Sequence, residues 1–224
     1  MANAGTVTFS GRSILVSRLK GNQTEPLNIG WGTGTFTGSA NGNVNLFAPS
    51  TEARTAGTSS GITTSYLADT YQVTGSITAT AARSITEVGL FDTSTLSATT
   101  TLAASASNAI ASITVGAAGT LPGAANYYVQ MQGETMLVTA GQGTTLLTVT
   151  RGQFNVPAVS GASGAPVTLG GDGGARASWT LGGQTASVPA ASGGNMFAHA
   201  DFGNLSLNSG DSILFTITDQ FSGA

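Results

Sequence analysis

The sequence predicts an all-β chain: an antiparallel β-sandwich formed by the two chain ends, with a second small β-barrel or roll module inserted between them. Three observations predict it. Helix formers are scarce, because only 8% of the 224 residues are charged, against roughly 25% in an ordinary soluble domain. In their place stand 32 glycines and many Ala, Ser, Thr and Asn residues, which favour turns and strands over helix interiors. Runs that alternate apolar and polar residues recur along the chain, and Gly, Asn and Ser clusters separate them, as in sandwiches.

The elements follow in order. Thr6–Phe9 alternates, and Ser13–Ser17 is a short apolar run. Tyr71–Thr80 alternates throughout, with Tyr71, Val73 and Ile77 near one face, and Ser84–Phe91 follows after a short turn. The middle of the chain reads as a meander of short strands: Ala111–Val115, Asn126–Met131, Glu134–Thr139, Thr145–Thr150 and Val167–Leu169. Gln132-Gly133 is a hairpin turn by composition, and Ala140–Gly143 is a second tight turn. Asn195–Phe202 and Asp211–Phe221 supply the last two strands. Asn108–Ala111 is the one helical turn the sequence predicts. Thr93–Ser107 and Gly170–Gly194 have linker composition, and Arg176–Val188 reads as an extra hairpin of either unit. The expected organisation is residues 1–101 as the first part of the sandwich, 102–169 as the inserted module, and 170–224 as linker, hairpin and return strands. Insertion at an exposed loop tip is well tolerated.

Composition excludes several function classes. The hydrophobic content of 40% is enough for a packed core, so the chain is not disordered. A net charge of −3 and a pI near 4.8 weigh against direct nucleic-acid binding, which needs a basic face. The absence of Cys rules out disulfides and thiolate zinc sites. Met1–Gly5 has neither a basic nor an apolar signal region, and no apolar stretch approaches a membrane span, so synthesis in the cytoplasm is expected. A surface of hydroxyls and amides packs against protein at little desolvation cost, and few charges keep copies apart. That composition implies an assembly subunit and not an enzyme.

The chemistry-bearing residues are few. His199, the single histidine, stands two residues before Asp201, which puts both side chains on one strand face. That is half of a catalytic or metal constellation, or a strand hydrogen bond; no Gly-x-Ser-x-Gly elbow supplies a nucleophile. None of the acidic residues, Glu25, Glu52, Asp69, Glu87, Asp92, Glu134, Asp172, Asp201, Asp211 and Asp219, has calcium-loop spacing. They read as turn caps and as partners of arginine. Gly30-Trp31-Gly32-Thr33-Gly34 lacks the Lys of a phosphate loop and reads as a Gly-rich loop that lets Trp31 stack on a neighbouring subunit. Arg12, Arg18 and Lys20 cluster near the N-terminus without interleaved aromatics, which suits pairing with an acidic protein surface better than nucleic acid. Tyr127, Tyr128, Gln130 and Gln132 offer a sugar-binding stripe, although Tyr127 and Tyr128 point to opposite faces and only one can be surface.

Some of these segments resemble tailed-bacteriophage structural proteins. Gly21–Pro26, Ile29–Gly34, Asp69–Gly75, Ile85–Asp92 and Asn208–Ile213 are similar to a family of phage virion proteins found beside capsid genes. Glu134–Thr139 and Leu147–Gly152 resemble a short β module that recurs in phage capsid-associated and tail proteins. The chain departs from that pattern where Gln153–Pro157 replaces a turn richer in Gly and Thr. The resemblance implies a capsid decoration, or cement, protein on the exterior of the virion. Its partners would be the major capsid protein of the same phage and further copies of itself, most simply as a homotrimer. The alternatives are a tail, collar or fibre component, or a receptor- or glycan-binding module. The contacts expected with the shell are Arg12, Arg18, Lys20, Glu25, Trp31 and Arg54. No catalytic residue, cofactor, metal ligand or membrane contact is assigned.

Overall fold

Two antiparallel sheets built from the two ends of the chain face each other, and a third sheet is inserted between their strands in sequence. The computed structural model describes residues 6–7, 25–34, 45–65, 67, 69–123, 126–153, 156–170, 180–181, 184–185 and 196–221. The expected strand at Ser13–Ser17 lies outside these residues. In chain order the strands are β1 (Thr6–Val7), β2 (Asn28–Gly32), β3 (Thr55–Ala56), β4 (Thr58–Ile62), β5 (Thr70–Thr78), β6 (Arg83–Phe91), β7 (Thr99–Thr101), β8 (Ser112–Thr114), β9 (Tyr127–Met131), β10 (Glu134–Ala140), β11 (Leu146–Thr150), β12 (Pro166–Leu169), β13 (Thr180–Leu181), β14 (Gln184–Thr185), β15 (Met196–Leu207) and β16 (Ser212–Gln220).

The first sheet of the sandwich has the order β1-β15-β6-β2-β3, and the second has the order β16-β5-β4. Their shared core holds Ile29, Trp31, Val73, Ile77, Val88, Leu90 and Phe197. Phe215 of β16 meets Trp31 edge-on, ring centroids 6.2 Å apart. The return strand β15 runs five residues beyond the Phe202 expected from sequence. It absorbs Gly203 and Asn204 through a register shift between Asp201 and Leu205, as a bulge permits.

The inserted unit is a six-stranded sheet of order β7-β12-β9-β10-β11-β8. Its edge strands meet only at an isolated Leu102–Val115 bridge, so the sheet is an open roll and not a closed barrel. Its ladder begins at Thr99, just before the expected boundary at Leu102. The predicted hairpin turn is present: Gln132 at φ 48° and Gly133 at φ 80° give the two positive φ values that a type I′ turn requires. Asn108–Ala111 forms a turn instead of a helix, and a 3-10 turn lies at Ala118–Thr120. The short pair β13–β14 falls within the hairpin expected at Arg176–Val188.

The Gly30–Gly34 segment corrects the loop reading. Residues Asn28–Gly32 form a buried central strand paired with β6. Ile29 and Trp31 enter the sandwich core, while the glycines make room on the opposite face. A Cβ on Gly32 would lie 2.2 Å from Glu87 Oε1, and one on Gly30 would lie 3.1 Å from Arg54 Cγ. The glycines there serve close approach by two buried ionic side chains.

Strand β9 is buried on both faces, which overturns the sugar-binding stripe. Tyr127, Tyr128 and Gln130 are all interior. One face of β9 meets the core of the roll. On the other, Gln130 bonds the backbone of Asn45 twice: its Oε1 accepts from Asn45 N at 3.1 Å and its Nε2 donates to Asn45 O at 2.8 Å. Asn45 Nδ2 also donates to Leu169 O at 3.1 Å. These bonds fasten the inserted roll to the segment that lines the sandwich.

The Tyr127 hydroxyl is buried with no hydrogen-bond partner among the described residues, and burial pushes its pKa up to about 12. Tyr127→Phe removes this unsatisfied group at almost no change in shape. Equilibrium unfolding of that variant should show unchanged stability or a gain of up to about 1 kcal/mol; a clear loss would mean that the hydroxyl has a partner in solution.

Candidate functional site

The charged side chains are the chain's scarcest chemistry, and half of the twelve described ones lie inside. Glu52, Arg54, Glu87, Asp92, Glu134 and Asp219 are buried. Among the described charged residues only Asp211 is exposed, and the others are buried or half-buried. Ordinary proteins show the reverse, with Asp, Glu, Lys and Arg almost never fully buried unless paired.

Glu87 is the centre of the largest such group. It sits on β6 opposite Asp201, and His199 is opposite Gly89 on the same pair of strands. This register places Glu87, His199 and Asp201 on one face, beneath the segment Asn45–Ser50. That segment crosses the face, then joins β2 at the Gly32–Pro49 bridge. The Glu87 carboxylate accepts from Gly34 N at 3.2 Å and Ala48 N at 2.8 Å through Oε1, and from Phe47 N at 2.8 Å through Oε2. His199 Nε2 lies 3.1 Å from Oε2.

The ligand atoms of Glu87, His199 and Asp201 all lie within 4.8 Å of one another, the spacing a metal site would use. The donor set does not fit one. A carboxylate has about four acceptor positions, and three backbone N–H groups and the imidazole occupy those of Glu87. A cation there would face the positive ends of those N–H dipoles. His199, at 3% exposure, is also shielded from any substrate, while the Asp201 side chain is 38% exposed. Burial raises the Asp201 pKa; the His199 side chain opposes that rise and Glu87 adds to it. The arrangement is a buried staple that holds the 45–50 segment to the sheet, and the His199–Asp201 pair expected from sequence is one arm of it.

Glu52 is a second staple. It accepts from Trp31 Nε1 at 3.3 Å, Thr80 Oγ1 at 2.8 Å and Arg83 Nε at 2.9 Å, and from Ser50 Oγ. Burial alone would raise its pKa. The bonds from Arg83, Thr80, its own backbone and Trp31 outweigh that and hold it at about 2.

Glu134 is the third, in the roll. It forms a forked pair with Arg151, Nε to Oε1 at 3.0 Å and Nη2 to Oε2, and accepts from Gly152 N at 3.0 Å and Val159 N at 2.9 Å.

The expected contact residues divide. Trp31, 2% exposed, and Arg54, 5% exposed, are corrections: both are interior and present nothing to a neighbour. Arg54 lies over the Phe91 ring, 3.4 Å from its centroid, and donates to Thr93 O at 3.2 Å. Burial lowers its pKa to about 9, with Asp92 opposing. Glu25 is half-buried and accepts from Tyr71 Oη at 3.1 Å. Arg12, Arg18 and Lys20 lie outside the described residues. Asp69 and Asp211 do cap turns as expected: Asp69 accepts from Thr64 N and Ser65 N at 2.9 Å each, and Asp211 from Asn208 N at 2.7 Å.

Compared with protein-family models, curated proteins and solved structures, the chain matches none.

Asp219, on the core side of β16, is buried with Oδ2 unbonded among the described residues, and burial raises its pKa to about 6. The folded state therefore holds its proton where the unfolded chain, near the ordinary 3.8, has released it. Stability falls as pH rises from about 4 to about 6, by roughly 2–3 kcal/mol at the upper limit. Asp219→Asn should flatten that slope and raise stability at pH 7 by about 1–2 kcal/mol. Urea unfolding at a series of pH values tests it, and an unchanged slope would place the proton uptake elsewhere.

Proposed function

We propose that this chain is a structural subunit that coats a larger protein assembly, as a decoration or cement protein on the capsid exterior of a tailed-bacteriophage particle. The observation that carries this reading is a broad sheet face that, among the described residues, bears no charge. The outward face of the β16-β5-β4 sheet presents Ser212, Leu214, Thr216, Thr218, Ser76, Thr78, Thr58 and Ser60, with no ionic group. Such a face loses little hydration energy when another protein covers it. The phage assignment itself comes from the sequence resemblance of both units.

The mechanism is structural. A protein that binds only the assembled shell stabilises that state by mass action, and many weak contacts repeated over a lattice gain strength by avidity. The major capsid protein is the partner. The interior staples keep the subunit rigid, so that contact energy is not spent on ordering it.

The test is the copy number of this chain in purified particles, measured by quantitative mass spectrometry against the main shell protein. A ratio near one-to-one supports decoration of the whole lattice. A handful of copies moves the chain to collar, tail or fibre, and absence from particles overturns the virion reading.

A further inference from the structure

Strand β16 pairs with β5 along its entire length, from Ser212–Thr78 to Gln220–Thr70, with no register shift. On its other side it has no ladder partner among the described residues. Every second residue of an antiparallel strand points its N–H and C=O to that side, so among the described residues this edge is open. Natural sheets block such edges with Lys, Pro, bulges or short strands. Ser-Ile-Leu-Phe-Thr-Ile-Thr-Asp-Gln has no Lys, Pro or bulge and is nine residues long; its one charged residue, the inward-facing Asp219, lies at the end of the strand and leaves Ser212–Thr218 unguarded.

The flank beside this edge is also incompletely covered. Ile213, Phe215 and Ile217 face the sandwich core yet are only half-buried, while Val73 and Ile77 on the neighbouring strand are buried. Leu214, on the outward face, is 68% exposed.

We infer that the open edge of β16 is an interface with a second copy of this chain, in which the two β16 strands pair antiparallel about a two-fold axis through Thr216. The strand is self-complementary in that register. Ser212 stands opposite Gln220 of the second copy, Ile213 opposite Asp219, Leu214 opposite Thr218, Phe215 opposite Ile217, and Thr216 opposite Thr216. Residues of like parity meet, so the core sides of both copies stay on one side of the joined sheet and the uncharged outward faces become continuous. A slip by one residue would put Ile213, Phe215 and Ile217 on the wrong face. No like charges meet. A two-fold contact is isologous and differs from the three-fold expected from sequence. It requires no phage particle, so it stands or falls apart from the proposed function.

A lone strand pair buries less than a standard interface, so dissociation on the order of micromolar to tens of micromolar is expected. Sedimentation of the full chain over a concentration series should show a monomer–dimer equilibrium. Thr216→Lys sets two ammonium groups opposite each other at the axis. It should abolish the dimer and, at concentrations where both chains are monomeric, leave the unfolding temperature unchanged, because Thr216 is exposed. The chain has no cysteine, which makes Thr216→Cys a clean probe. Directly paired residues have Cα atoms about 4.5–5.5 Å apart, within disulfide reach. Oxidation should yield a covalent dimer from Thr216→Cys and none from Thr58→Cys on the far edge strand. A chain that stays monomeric at high concentration overturns the inference, as the edge is then closed by the chain itself. A trimer indifferent to Thr216→Lys, or equal cross-linking by both cysteine variants, overturns it as well.

Discussion

Replacing Glu134 with alanine should lower the unfolding free energy by about 3–5 kcal/mol, the range for breaking one partner out of a buried ion pair. Glu134 is fully buried and Arg151 nearly so. The carboxylate joins the start of β10 to Arg151, Gly152 and Val159, and Arg151 reaches on to Ser107 O at 2.8 Å. Its loss leaves a guanidinium without its counter-charge and two backbone N–H groups without acceptors, and each such orphan costs about 1–3 kcal/mol. The damage should be centred on the roll. Hydrogen exchange should accelerate across β9, β10 and β11 before it does in β5 and β16, where no Glu134 contact reaches. The double variant Glu134→Met with Arg151→Met should be markedly less harmed than Glu134→Ala, because it removes both charges together. Equal loss in the two would mean that the shape of the site, and not its charge, holds the roll together.

Glu87→Ala is expected to cost about 3 kcal/mol or more. It strips the acceptor from the amides of Gly34, Phe47 and Ala48 and from His199 in one step. His199→Ala removes one of those four bonds and should cost only about 1 kcal/mol. The two variants therefore rank the members of the group. Exchange at the Phe47 and Ala48 amides should rise sharply in Glu87→Ala and little in His199→Ala. If His199→Ala proves the more damaging, the imidazole and not the carboxylate anchors the segment.

Much of the strand layout was legible because its signals are local. Tyr71–Thr80 alternates and Ser84–Phe91 follows it after a short turn, and they correspond to β5 and β6 with boundaries shifted by one or two residues. Gln132-Gly133 has the composition of a type I′ turn and adopts it. The expectation of a second unit between the chain ends rests on the short strands of the middle and on their linker-like flanks. The signal for the buried staples is also present in the sequence. Glu87 stands beside Val88-Gly89-Leu90-Phe91, and Glu134 precedes Thr135-Met136-Leu137-Val138. An isolated carboxylate inside an apolar run of a charge-poor chain marks a group that must be neutralised in the interior.

The partners of those carboxylates were not legible. Glu87 and His199 are 112 residues apart in sequence, and Asn45 and Gln130 are 85 apart. Trp31 and Arg54 are expected contacts with a neighbouring subunit from the sequence, and the structure buries both. Gly30 and Gly32 looked like loop residues because glycine is permissive, whereas here they clear space for Arg54 and Glu87. Strand periodicity and turn chemistry depend on neighbours a few residues away, so the sequence by itself determined an all-β chain and where most of its strands run. Which charges are buried, and which edge stays open, depend on segments that meet only when the sheets pack, so the tertiary structure alone decided them.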